Sequence, residues 1–168
     1  LSIYSVRFAS VCAGWLSTLG IFMIFRHLKL SPLLSVMGMF SIITGNIYLV
    51  VFRWGRPEGF VIMLLVWALY HYLRQITYAH PRDYLLMGLL TGCAALTHPH
   101  ALPVVLFLNG FSAFHSISRR TFNLLTYQMI GVGIIAAIGL VVTYHNFGSI
   151  HHFLESISSQ QRIGGSST

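Results

Sequence analysis

Apolar residues fall along this chain in runs too long for a helix that faces water on one side, and short polar clusters separate the runs. A bilayer core about 30 Å thick takes roughly 20 apolar residues in a helix. Six segments reach or approach that length. The first covers residues 8–25, extending back toward Ile3, and ends at Arg26-His27-Leu28-Lys29. The second covers 30–52 and ends at Arg53. The third begins after Arg56-Pro57-Glu58 and ends before Arg74. Pro57 suits a first helical turn, where its missing N–H costs nothing. The fourth covers 84–97 after Asp83, a residue type that caps helix N-termini. The fifth follows His98-Pro99-His100 and reaches about His115, and the sixth covers 122–144. The fourth and fifth are short, so a re-entrant hairpin is an alternative to two spans. Counting their polar flanks lengthens each to roughly 17 residues, which favours two spans.

The predicted fold is therefore all-α: a polytopic transmembrane helical bundle of about six membrane segments over residues 1–146. In residues 147–168, Phe147, Ile150, Phe153, Leu154 and Ile157 approximate an amphipathic pattern. They predict an outward-facing interfacial helix followed by a polar tail.

Composition removes the soluble alternatives. Hydrophobic residues make up 55% of the 168 and charged residues 8%, against about 25% charged in an ordinary soluble domain. Mean hydropathy is +0.74. A soluble enzyme domain, a disordered tail and a coiled coil are all excluded. The net charge of +7 comes from scarce acids, 3 against 10 basic residues. No Lys/Arg run tracks a phosphate backbone, so nucleic acid is not a partner. Cys12 and Cys93 lie in apolar runs and read as packing residues.

The basic residues set topology instead. One set of loops holds six, Arg26, Lys29, Arg74, Arg82, Arg119 and Arg120; the other holds four, Arg7, Arg53, Arg56 and Arg162. The first set is assigned to the cytoplasm and the second to the outer face. The membrane would be the bacterial inner membrane, or the endoplasmic reticulum in a eukaryote. The chain opens on Leu1 and closes on a polar stretch with no closing element, which reads as an internal fragment of a longer protein.

Two outward features could carry chemistry. Arg53, Arg56 and Glu58 sit at a membrane boundary, where charges are costly unless paired or hydrated. Arg offers a planar fork suited to phosphate or carboxylate. Glu58 could take a proton, hold a sugar hydroxyl or bind a metal. The plainer reading is a loop ion pair that caps the next helix. His98 and His100, on either side of Pro99, could bind a divalent cation if Glu58 joined them, or contact an anionic head group. They could equally just end one helix and begin the next. No cofactor is assigned beyond that candidate divalent metal. Tyr70, His71 and Tyr72 near Arg74 read as an interfacial belt, and Gly88-x-x-x-Gly92 as a close-packing face. Asn46 and Tyr48 suggest interhelical hydrogen bonds. His145, His151, His152 and Glu155 follow the sixth segment. No nucleophile elbow, P-loop, dinucleotide fingerprint or Cys-rich site is present.

The order of these features resembles the GT-C glycosyltransferases that use polyprenyl-phosphate sugars, a group including protein O-mannosyltransferases and the lipid A aminoarabinose transferase. The likeness rests on Ser5-Val6-Arg7-Phe8-Ala9-Ser10 opening a helix, on Arg56-Pro57-Glu58, and on the small-residue span 86–97 before a turn. The family's turn carries Lys; here it reads His98-Pro99-His100. The resemblance implies sugar transfer from a polyprenyl-phosphate-linked donor to a lipid, glycan or protein acceptor on the outer face. It implies phosphate-facing roles for Arg56 and His98, with Arg53 and His100 beside them. It places the principal acid upstream of Leu1, leaving Glu58 a secondary acid and the fragment inactive alone. A transporter segment or a non-catalytic membrane subunit is the alternative, and no inverted repeat supports the transporter.

Overall fold

The computed structural model describes residues 3–45 and 57–147, and every regular element among them is helical. Helix α1 (Ile3–His27) turns back into α2 (Pro32–Ile43). Helices α3 (Pro57–Tyr78) and α4 (Pro81–Thr97) follow, then a 3₁₀ turn η1 (Pro99–Ala101), α5 (Leu102–Ser118) and α6 (Phe122–Phe147). Among the described residues, four stretches are long and apolar enough to cross a membrane: Arg7–His27, Glu58–Tyr78, Pro99–Ser118 and Phe122–His145.

The bundle is inside-out relative to a soluble protein. Its most buried positions include Ser10, Ser17, Ser35, Gln75, Asp83, Thr91, Ser112, Ser116 and Gln128. Phe8, Trp15, Leu33, Leu106, Phe114, Met129 and Val141 are exposed. Lipid solvates large apolar side chains as well as a protein interior does. Helices in it therefore associate through small residues and interhelical hydrogen bonds.

Small residues set the closest approaches. Helices α4 and α6 run parallel with their backbones in contact. A Cβ added at Gly88 would collide with the Gln128 carbonyl oxygen, and one at Gly131 would lie 2.6 Å from the Leu85 carbonyl oxygen. Further along, Gly92 meets Ile135 and Gly139 meets Leu96. The close-packing role read for Gly88-x-x-x-Gly92 thus holds, and its partner face is Gln128-x-x-Gly131. Helix α1 runs parallel to α3, where Gly20 faces Val66 and Trp67 Nε1 donates to the Leu16 carbonyl at 3.1 Å.

Helix α4 has 17 residues, about 25 Å at 1.5 Å per residue. It lies antiparallel to α3 from the Gln75–Asp83 contact at one end to the Val61–Ala94 contact at the other. It therefore runs along most of α3, but of the fourth and fifth segments only the stretch Pro99–Ser118 is long and apolar enough to cross a membrane.

Three expectations need correction. The second apolar segment is helical only over Pro32–Ile43 as far as it is described. Thr44 caps it, with its hydroxyl donating to the Phe40 carbonyl at 2.8 Å; residues 46–56, with Asn46 and Tyr48, lie outside the described residues. The third helix does not stop before Arg74 but runs to Tyr78, because Arg74 finds a counter-charge within the bundle. Asp83 does not cap α4: His80 is the N-cap, without a side-chain cap bond, and Asp83 sits inside the first turn. The interfacial helix expected from residue 147 onward, with His151, His152 and Glu155, lies past Phe147 outside the described residues.

Candidate functional site

The polar residues gather at the two ends of the bundle. At one end, Val61 of α3 packs with Ala94 of α4, Ala101 of η1 and Val105 of α5. This small apolar cluster brings the first turn of α3, with Glu58, to the same end as His98-Pro99-His100. Proline shapes both pieces. Pro57 opens α3. Pro99 keeps His98 extended, at φ −158° and ψ 131°, and thereby ends α4. Nδ1 of His98 accepts the His100 backbone N–H at 3.3 Å, so Nδ1 acts as acceptor and Nε2 is left as the donor of a neutral ring. The rings of His98 and His100 lie 4.8 Å apart. Glu58 Oε2 is buried and has no hydrogen-bond partner among the described residues. Arg53 and Arg56 lie outside the described residues. Among the described residues, no group of three or more His, Cys, Asp or Glu side chains could hold a metal ion; Glu58, His98 and His100 share an end but form no such set.

The opposite end holds a constellation that patterning along the chain does not show. Asp83 is 1% exposed. Its Oδ1 lies 2.8 Å from His71 Nδ1 and 3.0 Å from Arg74 Nε. The His71 side chain is only 12% exposed and Tyr70 is buried. Tyr70 and His71 therefore face inward, not toward a surrounding belt. From Gln75 the network continues across three helices. Gln75 Nε2 donates to the Asp83 carbonyl at 3.3 Å. The Ser112 hydroxyl lies 2.9 Å from Gln75 Oε1 and 2.7 Å from Gln128 Oε1 and, with one proton, donates to either of them in turn. The Gln128 amide donates to Asn109, which donates to the Val105 carbonyl. Ser116 donates to the Tyr84 hydroxyl at 3.1 Å. Buried polar groups in a membrane bundle persist when they find partners like these. The signal in the sequence was Asp83, one of three acids, separated from Arg74 and Gln75 only by a tight turn; a helical hairpin brings such residues together.

The polar residues thus divide between an end with Glu58, His98 and His100 and a networked end centred on Asp83, where Asp83 Oδ2, Arg74 Nε and His115 Nε2 are nonetheless buried without a hydrogen-bond partner among the described residues. The profile of the dolichyl-phosphate-mannose-protein mannosyltransferase family matches residues 2–145. The chain belongs to this family. It is a GT-C-type membrane glycosyltransferase chain, and a multi-pass integral membrane protein. No curated protein and no solved structure matches it in the corresponding searches. The family match spans both polar ends and every described helix.

Proposed function

We propose that this glycosyltransferase moves a sugar from a polyprenyl-phosphate donor to an acceptor hydroxyl at the end of the bundle that carries Glu58, His98 and His100. The observation that carries this reading is the buried carboxyl oxygen of Glu58, without a hydrogen-bond partner among the described residues, at the end where His98 and His100 lie. A buried oxygen with no partner costs free energy unless a ligand supplies a donor, and an acceptor hydroxyl is such a donor. In the transfer, the acceptor oxygen bonds to the sugar's anomeric carbon. The bond from that carbon to the donor phosphate breaks, and polyprenyl phosphate leaves with the electron pair. The acceptor proton passes to a carboxylate. Glu58 orients the acceptor hydroxyl. His98 Nε2–H and the Arg56 guanidinium donate to the departing phosphate, whose charge grows as the bond breaks. The transfer face is the outer one, opposite the six-residue basic end, following the positive-inside bias.

The test is Glu58→Gln in the full-length protein, assayed for sugar transfer from a polyprenyl-phosphate donor. The variant keeps size and hydrogen-bonding capacity but loses the charge. Normal expression is expected, with transfer lowered at least about tenfold, the lower range for losing a hydrogen bond to a charged group. Wild-type turnover removes Glu58 from the site.

A further inference from the structure

The end opposite Glu58 collects cations from several helices. Arg26 and Lys29 close α1, Arg74 lies in the last turns of α3, Arg82 opens α4, and Arg119 and Arg120 follow α5. Two of them are consumed locally: Arg26 Nη1 donates to the Leu30 carbonyl at 2.7 Å and Arg119 Nη1 to the Ile76 carbonyl at 2.6 Å. Asp83 is the one acid among the described residues at this end, and it is buried beneath Arg74.

Arg74 is held differently from its neighbours. Asp83 takes its Nε side at 3.0 Å. Its guanidinium carbon stands 5.7 Å from the Tyr70 ring centre and 5.8 Å from that of Tyr78. Nη1 makes only a long 3.4 Å contact with the Tyr70 hydroxyl. The side chain is 34% exposed, and its Nε edge lies in ion-pair contact with the buried Asp83 carboxylate. Around it lie His27, 5.9 Å ring to ring from Tyr78, and His80, stacked on Tyr78 at 6.1 Å. His27 is itself fixed by a 3.0 Å contact to the Thr77 hydroxyl. The result is a guanidinium with a locked plane, framed by aromatic and imidazole rings, about 6 Å from the end of a membrane-spanning helix at 1.5 Å per residue.

We infer that this cluster is a binding site for the phosphate of an anionic phospholipid head group, with Arg74 as its central contact and His27, His80 and Arg82 around it. A guanidinium whose Nε edge is ion-paired to Asp83 and whose Nη1 makes only a long contact with Tyr70 retains terminal N–H groups for phosphate oxygens, an anion that Arg geometry suits. The exposed Tyr78 ring and a cation at the end of a spanning helix lie at head-group depth. Basic pockets between helices on the cytoplasmic side take up acidic head groups. The buried Asp83 orients Arg74 without cancelling the remaining exposed cations, Lys29, Arg82 and Arg120. The site is separate from the transfer site and does not depend on it.

The experiment uses the full-length protein in nanodiscs of phosphatidylcholine with or without phosphatidylglycerol. It reads bound phosphatidylglycerol by native mass spectrometry and thermal stability by melting. Wild type is expected to retain phosphatidylglycerol and to melt higher with it. Arg74→Gln alone leaves Asp83 buried without its counter-charge and can fail to fold. The double variant Arg74→Gln/Asp83→Asn removes both charges together and avoids that. It is expected to retain phosphatidylglycerol roughly fivefold less, the loss for one basic contact at a membrane surface, and to lose the melting shift. Lys29→Gln/Arg120→Gln, which removes two exposed cations outside the cluster, is expected to change retention less than the double variant does. Equal retention by wild type and Arg74→Gln/Asp83→Asn overturns the proposal. So does an equal loss in Lys29→Gln/Arg120→Gln, which would mean a diffuse surface charge. A melting shift reproduced by inorganic phosphate in pure phosphatidylcholine overturns the assignment to a lipid.

Discussion

The two ends of the bundle are built on opposite principles. At the Asp83 end the polar side chains of four helices bond to one another: Asp83 to His71 and Arg74, and Gln75 through Ser112 to Gln128. At the Glu58 end the described polar groups are sparse. Glu58 Oε2 is buried without a hydrogen-bond partner among the described residues, and His98 accepts the His100 backbone N–H. A membrane protein satisfies polar groups where they serve only the fold. Among the described residues, buried polar atoms without a hydrogen-bond partner occur at both ends, Glu58 Oε2 at one and Asp83 Oδ2, Arg74 Nε and His115 Nε2 at the other; what sets Glu58 apart is that it belongs to no side-chain network like that around Asp83. The contrast therefore separates the residues that hold the helices in register from those we assign to transfer.

Perturbing each end in turn tests that separation. Asp83→Ala should have the largest effect on stability, on the order of 3 kcal/mol, because it leaves Arg74 without its counter-charge and His71 without its hydrogen-bond partner. The loss is read as a lowered melting temperature of the full-length protein in detergent. Gly88→Ala comes next. Its Cβ would meet the Gln128 backbone, which cannot swing aside, and about 2 kcal/mol is expected from overpacking. Equal melting temperatures for Gly88→Ala and Gly110→Ala would refute the close α4–α6 contact, since Gly110 has open space around its Cβ position. Ser112→Ala removes the bridge between Gln75 and Gln128 and should cost about 1 kcal/mol. Its transfer rate per folded molecule should stay near wild type, whereas Glu58→Gln should lower that rate with melting unchanged. The reverse pattern would dissolve the distinction between the ends. Cys12→Ala, at an exposed position on α1, should shift stability by less than about 0.5 kcal/mol.

The apolar runs and their punctuation made most of the fold legible. Pro57, Pro99 and the Arg26–Lys29 cluster mark real helix ends, and the small residues of α4 do pack against a neighbour. The sequence was silent on which neighbour, because Gly131 of α6 is one glycine among 15 and helix pairing is set by three-dimensional docking. Arg74 misled the reading in the other direction. A charge in an apolar run normally ends a span, and only the fold reveals that Asp83, across a tight turn, offsets it. Tyr70 and His71 look like an interfacial belt by composition, yet the same pairing turns them inward. At the candidate site, Glu58 and the His98-Pro99-His100 turn were visible as polar residues at predicted helix boundaries. Their shared end follows from the antiparallel α3–α4 hairpin, while the unpartnered state of Glu58 required coordinates.

Where the donor binds tests the account most directly. A photoreactive polyprenyl-phosphate sugar can be cross-linked to the full-length protein in membranes and the labelled peptides mapped. The account predicts labelling in the segment around Glu58 or the His98-Pro99-His100 turn, competed away by unmodified donor. Donor-competable labelling confined to the Tyr70–Asp83 region would place the sugar phosphate at the opposite end and contradict the assignment.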